Sequence, residues 1–365
     1  MSMRPIFING RFQSQPLSGV QRYASEIVFA LDNLLAARGG ERPTCTLLVP
    51  RDARNTLDLA VIEQKPVGRL RGHLWEQVDL PMHAAGGVLL SLAGTGPVAH
   101  QRHAVTIHDA SVYANPGNFS FAFRAWYRTL LPLLGRSAAR VFTVSEFSKS
   151  ELARYCGIPK EKIRVTYNGT EHLLRGRWDD SFPKRQGLET GKYVLCVGAD
   201  SPNKNVGLVV EALSRIDDAE LVLVNVGANN SRVFKRGAGG CSVRLRSLGH
   251  VPDSVLRALY ERALCVAFPS FYEGFGIPPL EAMVCGCPAV VARTSALPEV
   301  CGDAAMYCDP TDAGELAEHI RSLRQDPALR ARLRASGIAH ARKFTWRSGA
   351  RDILNELLAL SVQKR

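Results

Sequence analysis

Short apolar runs alternate with longer amphipathic segments along most of the chain. The run RPIFING predicts a β-strand, and the segment VQRYASEIVFALDNLLAAR after it predicts a helix, because its apolar residues recur at helical spacing. The alternation resumes after residue 190, where the run YVLCVG precedes the helical segment NVGLVVEALSRI. Short strands separated by helices predict parallel sheets with crossover connections, so we expect an α/β protein.

Two such alternating series are present, and a polar, aperiodic stretch at residues 175–191 is the candidate linker between them. A length of 365 residues also suits two domains. We therefore predict one doubly wound Rossmann-like domain at residues 1–175 and a second at residues 190–344. A helix with Thr345 as its N-cap is predicted over about residues 345–365, and we expect it to pack back on the first domain.

Charge is distributed unevenly between the two halves. The net charge is +12, and the first 170 residues contain 20 Lys and Arg against 12 Asp and Glu, whereas the remainder contains 26 against 22. A basic half favours an anionic partner, which can be nucleic acid, a phosphorylated ligand or an anionic membrane face, although a basic surface also serves solubility alone. No zinc-finger spacing or RNP-like segment occurs, so nucleic acid is not expected.

Cysteine usage and hydropathy bear on location. The nine cysteines are odd in number and mostly lie in apolar runs, which is typical of a reduced compartment. No apolar run reaches the roughly 18 residues that span a bilayer, and the first ten residues lack the apolar core of a signal peptide. We therefore expect a cytoplasmic protein, with any membrane contact peripheral and on the inner face.

The segment with the densest candidate chemistry is PSFYEGFGIPPLEAMVCGCPAVV, at residues 269–291. The run LCVAFPS predicts a buried strand, so the loop after it is expected at the carboxyl edge of a sheet, where ligands bind. Gly274 and Gly276 let the backbone approach a ligand with its N–H groups directed at it. Pro278 and Pro279 suit the first turn of a helix, whose amino terminus favours an anion such as phosphate.

Two glutamates, Glu273 and Glu281, lie eight positions apart in this segment. We expect Glu273 in the loop and Glu281 in the first turn of the helix, with both carboxylates directed into the cleft between the domains as acceptors for hydroxyl groups. A phosphate held by loop amides, with hydroxyls on either side, describes a nucleotide sugar. The structural alternative is that Glu281 complements the helix dipole and Glu273 is solvated.

The segment resembles the E-x7-E signature of retaining glycosyltransferases of family 4, which have the GT-B fold of two Rossmann-like domains. Segments along nearly the whole chain also resemble that family, among them PLSGVQRYASEIVFALD, VTIHDASVYANPGNFS, SLGHVPDSVLRALYERALCVAFPS and TSALPEVCGDAAMYCDPTDAGELAEHI. The resemblance is to mannosyl- and rhamnosyltransferases of bacterial surface polysaccharides. It implies a hexosyltransferase that moves mannose from GDP-mannose to a lipid-linked or oligosaccharide acceptor.

The resemblance also implies roles for residues of the second domain. By position, Glu281 accepts from the ribose hydroxyls, Glu273 accepts from a hydroxyl of the donor hexose, and Lys204 contacts the diphosphate. The diphosphate and sugar are held by the backbone N–H groups of Gly274, Phe275 and Gly276. Many members carry an arginine after the glycine that ends the strand before Lys204. Ala199 stands there in this chain, so the neutralising charge comes from Lys204, from helix amino termini or from another basic residue.

Three residues of the first domain are implicated in the same way. Gly19 resembles the glycine with which the first loop closes on the phosphates and acceptor, and His108 matches a histidine that reaches the donor sugar. Arg22 is the candidate ligand for an acceptor phosphate. The structural alternatives are that His108 and Asp109 cap the turn after a strand and that Arg22 belongs to the polar face of its helix.

The resemblance implies a front-face reaction in which the departing phosphate takes the acceptor proton. No Asp-x-Asp triplet occurs, so we expect no metal or other cofactor. Two other functions remain open. A nucleotide-sugar epimerase of the same fold would need no second substrate, and a non-catalytic partner would bind a nucleotide sugar or glycan without turnover.

Overall fold

The computed structural model describes residues 3–38, 43–198, 201–216, 218–227 and 243–362. The chain divides into two compact units. The first unit comprises Met1–Gly169 and Thr345–Arg365, and the second comprises Thr170–Phe344. Residues 175–191, the candidate linker, belong to the second unit and include a short helix at Phe182–Arg185.

The first unit is built on a seven-stranded parallel sheet. Its strands are β1 (Ile6–Asn9), β2 (Cys45–Val49), β3 (Glu63–Pro66), β4 (Val88–Ser91), β5 (His103–Thr106), β6 (Arg140–Thr143) and β7 (Ile163–Val165). Their spatial order is β3-β2-β1-β4-β5-β6-β7. Strands β2 and β3 are added on one side of β1 and strands β4 to β7 on the other, so the strand order reverses between β1 and β4. Strands β2, β4 and β5 are buried throughout, as expected where helices cover both faces of a parallel sheet.

The second unit is built on a six-stranded parallel sheet. Its strands are β8 (Tyr193–Val197), β9 (Val222–Val226), β10 (Arg244–Gly249), β11 (Cys265–Phe268), β12 (Ala289–Ala292) and β13 (Met306–Cys308). Their order is β10-β9-β8-β11-β12-β13, and the reversal falls between β8 and β11. The predicted class, α/β with two Rossmann-like sheets, is therefore confirmed.

Nine helices of eight or more residues lie in the described ranges. They are α1 (Gly19–Ala36), α2 (Phe121–Ser137), α3 (Glu146–Cys156), α4 (Val206–Ser214), α5 (Asp253–Arg262), α6 (Ile277–Val284), α7 (Ala313–Gln325), α8 (Pro327–Ala341) and α9 (Trp346–Ser361). None of them is long and apolar enough to cross a membrane.

Helix α9 belongs to the first unit, although it comes last in the chain. Its N-cap is Thr345, as predicted, whose Oγ1 accepts a hydrogen bond of 3.2 Å from the backbone N–H of Ser348. Its apolar stripe packs on α1, where the rings of Trp346 and Tyr23 meet edge to face with centroids 6.0 Å apart. The burial of this stripe accounts for the helical spacing of its leucines and isoleucine.

Candidate functional site

In the second unit, two loops leave the sheet at the point where the strand order reverses. Strands β8 and β11 are neighbours there, and their carboxyl ends lie at the same edge. Open parallel sheets bind ligands outside the carboxyl ends of the strands at such a reversal. The loop after β8 carries Lys204 and the loop after β11 carries Glu273, so the strand order brings two predicted site residues together.

Lys204 and Glu273 form an ion pair across these loops. The distance between Lys204 Nζ and Glu273 Oε1 is 2.7 Å, and Nζ also lies 4.6 Å from the centroid of the Phe268 ring. Both side chains keep part of their surface exposed, 22% for Lys204 and 14% for Glu273. A ligand therefore finds a cation suited to an anionic group next to a carboxylate suited to hydroxyl donors.

Asparagines on either side of Lys204 fasten the two loops to each other. Asn203 Nδ2 donates a hydrogen bond of 2.8 Å to the backbone carbonyl of Tyr272. Asn205 Nδ2 donates to the carbonyls of Pro269 and Pro310, at 3.2 and 2.7 Å. Three consecutive residues therefore contact the loop that carries Glu273, which fixes Lys204 relative to that carboxylate.

Unusual backbone conformations concentrate around the ion pair. Asn205 and Ser295 are the two non-glycine residues with positive φ in the part of the chain that the structure describes, at 55° and 52°. Ser295 Oγ accepts from the backbone N–H of Glu273 at 2.9 Å. Gly198 adopts φ +136°, and a Cβ at this position would lie 3.2 Å from Lys204 Cε. Strain that neighbouring structure holds in place is a common feature of ligand sites.

The Gly274, Phe275 and Gly276 stretch joins this loop to α6. Gly276 adopts φ +97°, and a Cβ there would lie 2.6 Å from Leu297 Cδ2, so only glycine fits. The Phe275 side chain is buried and meets the Phe344 ring edge to face, with centroids 6.2 Å apart. Its side chain therefore packs in the core. Binding of a ligand by the backbone N–H groups of these three residues stays a prediction.

The position of Glu281 differs from the expectation. Helix α6 begins at Ile277, directly after the left-handed Gly276, so the two prolines lie in the first turn as predicted. Glu281 is then the fifth residue and lies in the second turn, and its placement in the first turn was wrong. The physical reason is that Gly276 sets where helical geometry begins, and apolar spacing alone does not locate that point.

Glu281 is a buried acceptor held from two sides. Its side chain is 8% exposed, and His172 Nε2 donates to Oε1 at 2.9 Å while the Tyr260 hydroxyl donates to Oε2 at 3.0 Å. Burial, and secondly the nearby Glu281 carboxylate, raise the pKa of Tyr260 well above its usual value, so the hydroxyl stays protonated. A carboxylate oxygen can accept two hydrogen bonds, so this residue type suits the hydroxyl groups of a ligand.

Sequence reasoning missed the contacts of Glu281 with Tyr260 and His172. Tyr260 lies on the apolar face of α5, so its spacing predicts burial without naming a partner. His172 lies in a 3₁₀ turn, Glu171–Leu174, 109 positions before Glu281, and no local pattern joins the two. The one available signal was the position of Tyr260, whose hydroxyl needs a partner when it is buried, on the apolar face of α5.

In the first unit, the predicted residues lie around the amino end of α1. Gly19 is the first residue of that helix and does not lie in the loop, because Ser18 is the last residue with extended backbone. The loop placement of Gly19 was therefore wrong by one position. Arg22 lies in the first turn and is half-buried. Tyr23, the next residue, contacts His108 edge to face, with ring centroids 4.7 Å apart.

His108 follows β5 and hydrogen-bonds to the backbone carbonyl of Leu92 at 2.9 Å through Nε2. A carbonyl only accepts, so Nε2 carries a proton. Burial lowers the pKa of His108 below its ordinary value, so the neutral ring has Nδ1 as an acceptor. Asp109 Oδ1 accepts from the backbone N–H of Ser111 at 2.8 Å, the capping contact that the structural alternative predicts for it. Ala199, the departure from the family pattern, lies outside the described residues.

Comparison with known protein families gives two adjoining matches. The family model described as Glycosyltransferase Family 4 matches residues 18–172, and the one described as Glycosyl transferases group 1 matches residues 179–340. O-antigen chain mannosyltransferase B of Escherichia coli is 30% identical over 266 residues, which cover 70% of this chain and 70% of that protein. The chain belongs to glycosyltransferase family 4. Its activity class is therefore that of a transferase.

Two further relatives of this family 4 member match shorter stretches. O-antigen chain mannosyltransferase RfbU of Salmonella typhimurium is 28% identical over 226 residues, 61% of each protein. The MMP alpha-(1->4)-mannosyltransferase of Mycolicibacterium hassiacum is 31% identical over 237 residues, 62% of this chain and 56% of the relative. The matched stretches thus span 61% and 56% of these two relatives.

Solved structures resemble the whole chain. Sucrose-phosphate synthase from Thermosynechococcus elongatus superposes with a TM-score of 0.75 at 19% identity, covering 98% of this chain and 100% of that one. Anabaena HepE, solved with UDP and glucose, gives 0.74 at 18% identity, with the same coverage. WaaG, a glycosyltransferase involved in lipopolysaccharide biosynthesis, gives 0.72 at 16% identity, covering 96% and 99%. Together with the two Rossmann-like sheets, these likenesses confirm the predicted GT-B fold.

Proposed function

We propose that this glycosyltransferase is a retaining mannosyltransferase, which moves mannose from GDP-mannose to a lipid-linked or oligosaccharide acceptor during assembly of a surface polysaccharide. Two of the relatives described above are named as O-antigen chain mannosyltransferases, and the third is named as an MMP alpha-(1->4)-mannosyltransferase. All three names describe mannosyltransferases, which favours mannose as the transferred sugar.

The observation that carries the proposal is the pairing of Lys204 with Glu273 where the strand order of the second sheet reverses. Lys204 supplies a cation for the diphosphate. Glu273, whose Oε1 lies 2.7 Å from Lys204 Nζ, supplies an acceptor for a hexose hydroxyl. Glu281, held by His172 and Tyr260, supplies the acceptor for the ribose hydroxyls. One cation and two carboxylates supply a partner for each of the three parts of a nucleotide sugar, which are hexose, diphosphate and ribose.

In the proposed reaction, the bond between the anomeric carbon and the β-phosphate oxygen breaks, and its electron pair remains on the departing diphosphate. The acceptor hydroxyl oxygen bonds to the anomeric carbon from the same face, so the configuration is retained. The hydroxyl proton passes to the departing phosphate oxygen, and no side-chain base is required. Lys204 stabilises the charge that grows on the diphosphate, and a preorganised donor of this kind is worth most in the transition state.

We also propose that the reaction needs no metal ion. Lys204 supports this, because it supplies positive charge where a cation would otherwise neutralise the diphosphate, and the sequence contains no Asp-x-Asp triplet. Turnover is expected to survive an excess of EDTA. Loss of activity in EDTA that returns on addition of Mg²⁺ or Mn²⁺ would contradict this part of the proposal.

The function is tested by incubating the protein with a panel of nucleotide sugars and a polyprenyl-diphosphate-linked sugar, and by measuring the nucleoside diphosphate released. We expect GDP release with GDP-mannose, dependent on the acceptor, and an α-linked product by NMR. Epimerised sugar from donor alone would favour the epimerase. Donor binding without turnover on any acceptor of the panel would favour a non-catalytic partner.

A further inference from the structure

A cavity of about 350 Å³ lies in the second unit, and we call it the arginine cavity. Gly191, Leu264 and Pro288 line it, and each lies within two residues of the start of a strand, namely β8, β11 and β12. The cavity is therefore at the amino edge of the sheet, whereas the candidate site is at the carboxyl edge. Its volume is in the range of pockets that hold small molecules.

Three arginines from two helices line the arginine cavity. Arg324 lies on the last turn of α7, and Arg330 and Arg334 lie one turn apart on α8. Guanidinium groups stay charged in proteins, and their planar N–H groups match the oxygens of phosphates and carboxylates. No acidic residue occurs between Asp326 and Asp352, so α8 brings no carboxylate to balance its arginines.

Arg324 is held in place by the rest of the unit. Its Nε donates to Asp218 Oδ2 at 2.9 Å, and its Nη1 donates to the backbone carbonyl of Gly191 at 3.2 Å. The charge of Arg324 is therefore already balanced, and its guanidinium forms a fixed part of the cavity wall.

The other two arginines have N–H groups left for a ligand. Arg330 Nη1 donates to the backbone carbonyls of Leu323 and Arg324 at the end of α7, and no carboxylate pairs with it in the described ranges. Arg334 has no hydrogen bond and no ion pair within the part of the chain that the structure describes. The two lie four residues apart on α8, where like charges repel each other. An anion between them would relieve that repulsion.

The guanidinium of Arg334 lies against the turn that follows α6. Gly286, in that turn, adopts φ +75°, and a Cβ there would lie 2.9 Å from Arg334 Cζ. Only glycine leaves room for the guanidinium at this wall of the cavity. Although Arg334 is an exposed residue, its charged group is therefore placed at the cavity and does not extend away from the protein.

Oxygen acceptors lie beside the arginines. Glu261 lines the cavity, and its charge is balanced by Arg257, whose Nε donates to Glu261 Oε1 at 2.9 Å. Thr190 lines the cavity as well. Carboxylate and hydroxyl oxygens accept hydrogen bonds from hydroxyl groups. The lining therefore suits a ligand that has both an anionic group and hydroxyl groups.

We propose that the arginine cavity binds a phosphorylated sugar, whose phosphate contacts Arg330 and Arg334. Glu261 and Thr190 accept from the hydroxyl groups of the sugar. Arginine binds phosphate oxygens in pairs, which gives this site its preference for phosphate. The proposal goes beyond the transfer reaction, because the cavity and the candidate donor site lie at opposite edges of the sheet.

Isothermal titration with glucose 6-phosphate, mannose 6-phosphate and ribose 5-phosphate tests the proposal, at a salt concentration of about 150 mM that screens diffuse surface charge. We expect the wild type to bind at least one of these probes, to bind inorganic phosphate more weakly and to bind glucose not at all. Absence of binding with all three probes would overturn the proposal. Inorganic phosphate that binds as tightly as the best probe would overturn the assignment to a sugar.

Arg334→Gln is the variant that tests the site most cleanly, because Arg334 makes no hydrogen bond that the substitution would break. It should weaken binding of the probe by at least about tenfold, since a charged hydrogen bond to phosphate is lost. Arg330→Gln should act in the same direction, and thermal unfolding shows whether the loss of its carbonyl contacts affects the fold. Undiminished binding in Arg334→Gln would overturn the proposal.

Arg332→Gln is the matched control. Arg332 lies between these two arginines on α8, is exposed and is not part of the cavity lining. This variant should bind the probe as the wild type does. An equal loss in Arg332→Gln and Arg334→Gln would mean that the probe responds to the overall charge of α8, which would overturn the proposal.

Two further titrations separate the arginine cavity from the candidate donor site. The affinity for the probe should be the same with and without saturating GDP, and the same in Lys204→Ala. Displacement of the probe by GDP, or loss of probe binding in Lys204→Ala, would place the probe at the donor site and overturn the proposal. Because no acceptor is present, a negative result here leaves mannosyl transfer standing. Conversely, a protein that binds the probe but transfers no sugar leaves the arginine cavity standing.

Discussion

Glu273 and Glu281 are the same residue type on one segment, eight positions apart, yet the fold gives them opposite surroundings. Glu273 lies in a loop, partly exposed, and its partner is the cation Lys204. Glu281 lies inside α6, almost fully buried, and its partners include the hydrogen-bond donors His172 and Tyr260. The first carboxylate has a partner that a ligand can share, and the second is fixed before any ligand arrives.

The difference follows from what burial does to a polar group. A partly exposed ion pair contributes about 0–1 kcal/mol to stability, so its partners can exchange contacts with a ligand at little cost. A buried carboxylate has lost its water, so its hydrogen bonds become obligatory and their removal is costly. This difference fits the roles proposed above, in which Glu273 holds a sugar that changes during turnover and Glu281 holds a nucleoside that does not.

The largest effect is expected from Lys204→Ala. The charge on the diphosphate grows in the transition state, so kcat should fall roughly a hundredfold or more, while the KM for donor rises less. Steady-state kinetics on GDP-mannose measure both. Lys192→Ala is the matched control, because Lys192 lies in the same unit and its ion pairs with Glu189 and Glu220 are away from the loops. Near-normal turnover of Lys204→Ala would mean that another basic residue faces the leaving group.

Replacement of each glutamate by alanine should lower the free energy of unfolding by different amounts. Glu281→Ala leaves the Tyr260 hydroxyl and His172 Nε2 without their acceptor in a buried place, so the free energy of unfolding should fall by about 2 kcal/mol or more. Glu273→Ala should cost less than about 1 kcal/mol. Chemical denaturation measures both. Equal losses would show that the difference in burial has no energetic counterpart.

Tyr260→Phe removes one of the donors that hold Glu281. A hydrogen bond to a charged group contributes about 1.5 kcal/mol, so the KM for donor should rise roughly tenfold with kcat little changed. Tyr193→Phe is the control, because Tyr193 is equally buried and its hydroxyl donates to the backbone carbonyl of Leu259. If both variants change stability but neither changes KM, Tyr260 is structural only.

The smallest effect is expected from Asn203→Ala. It removes the bond to the Tyr272 carbonyl, which contributes about 0.5–1 kcal/mol to holding the two loops together. A two- to fivefold loss in kcat/KM for GDP-mannose follows, with unfolding little changed. Activity equal to wild type would show that Asn205 and the ion pair suffice to fix the loops.

Local pattern predicted β1, β8 and β11, the loop after β11 and α6, because apolar runs, glycines and prolines act within a few residues. It predicted the two glutamates as candidates but not their surroundings. The depth of Glu281 depends on where Gly276 lets the helix begin, and its donors come from residues 21 and 109 positions away. The meeting of Lys204 with Glu273 depends on β8 and β11 being neighbours, which is set by strand order and not by periodicity.

The central claim is that Glu281 holds the nucleoside and Glu273 holds the sugar. Isothermal titration of GDP and of GDP-mannose into wild type, Glu273→Gln and Glu281→Gln tests it directly. We expect Glu281→Gln to weaken both ligands by the same factor. We expect Glu273→Gln to weaken GDP-mannose and to leave GDP unchanged. Loss of GDP binding in Glu273→Gln, or undiminished GDP binding in Glu281→Gln, would contradict the claim.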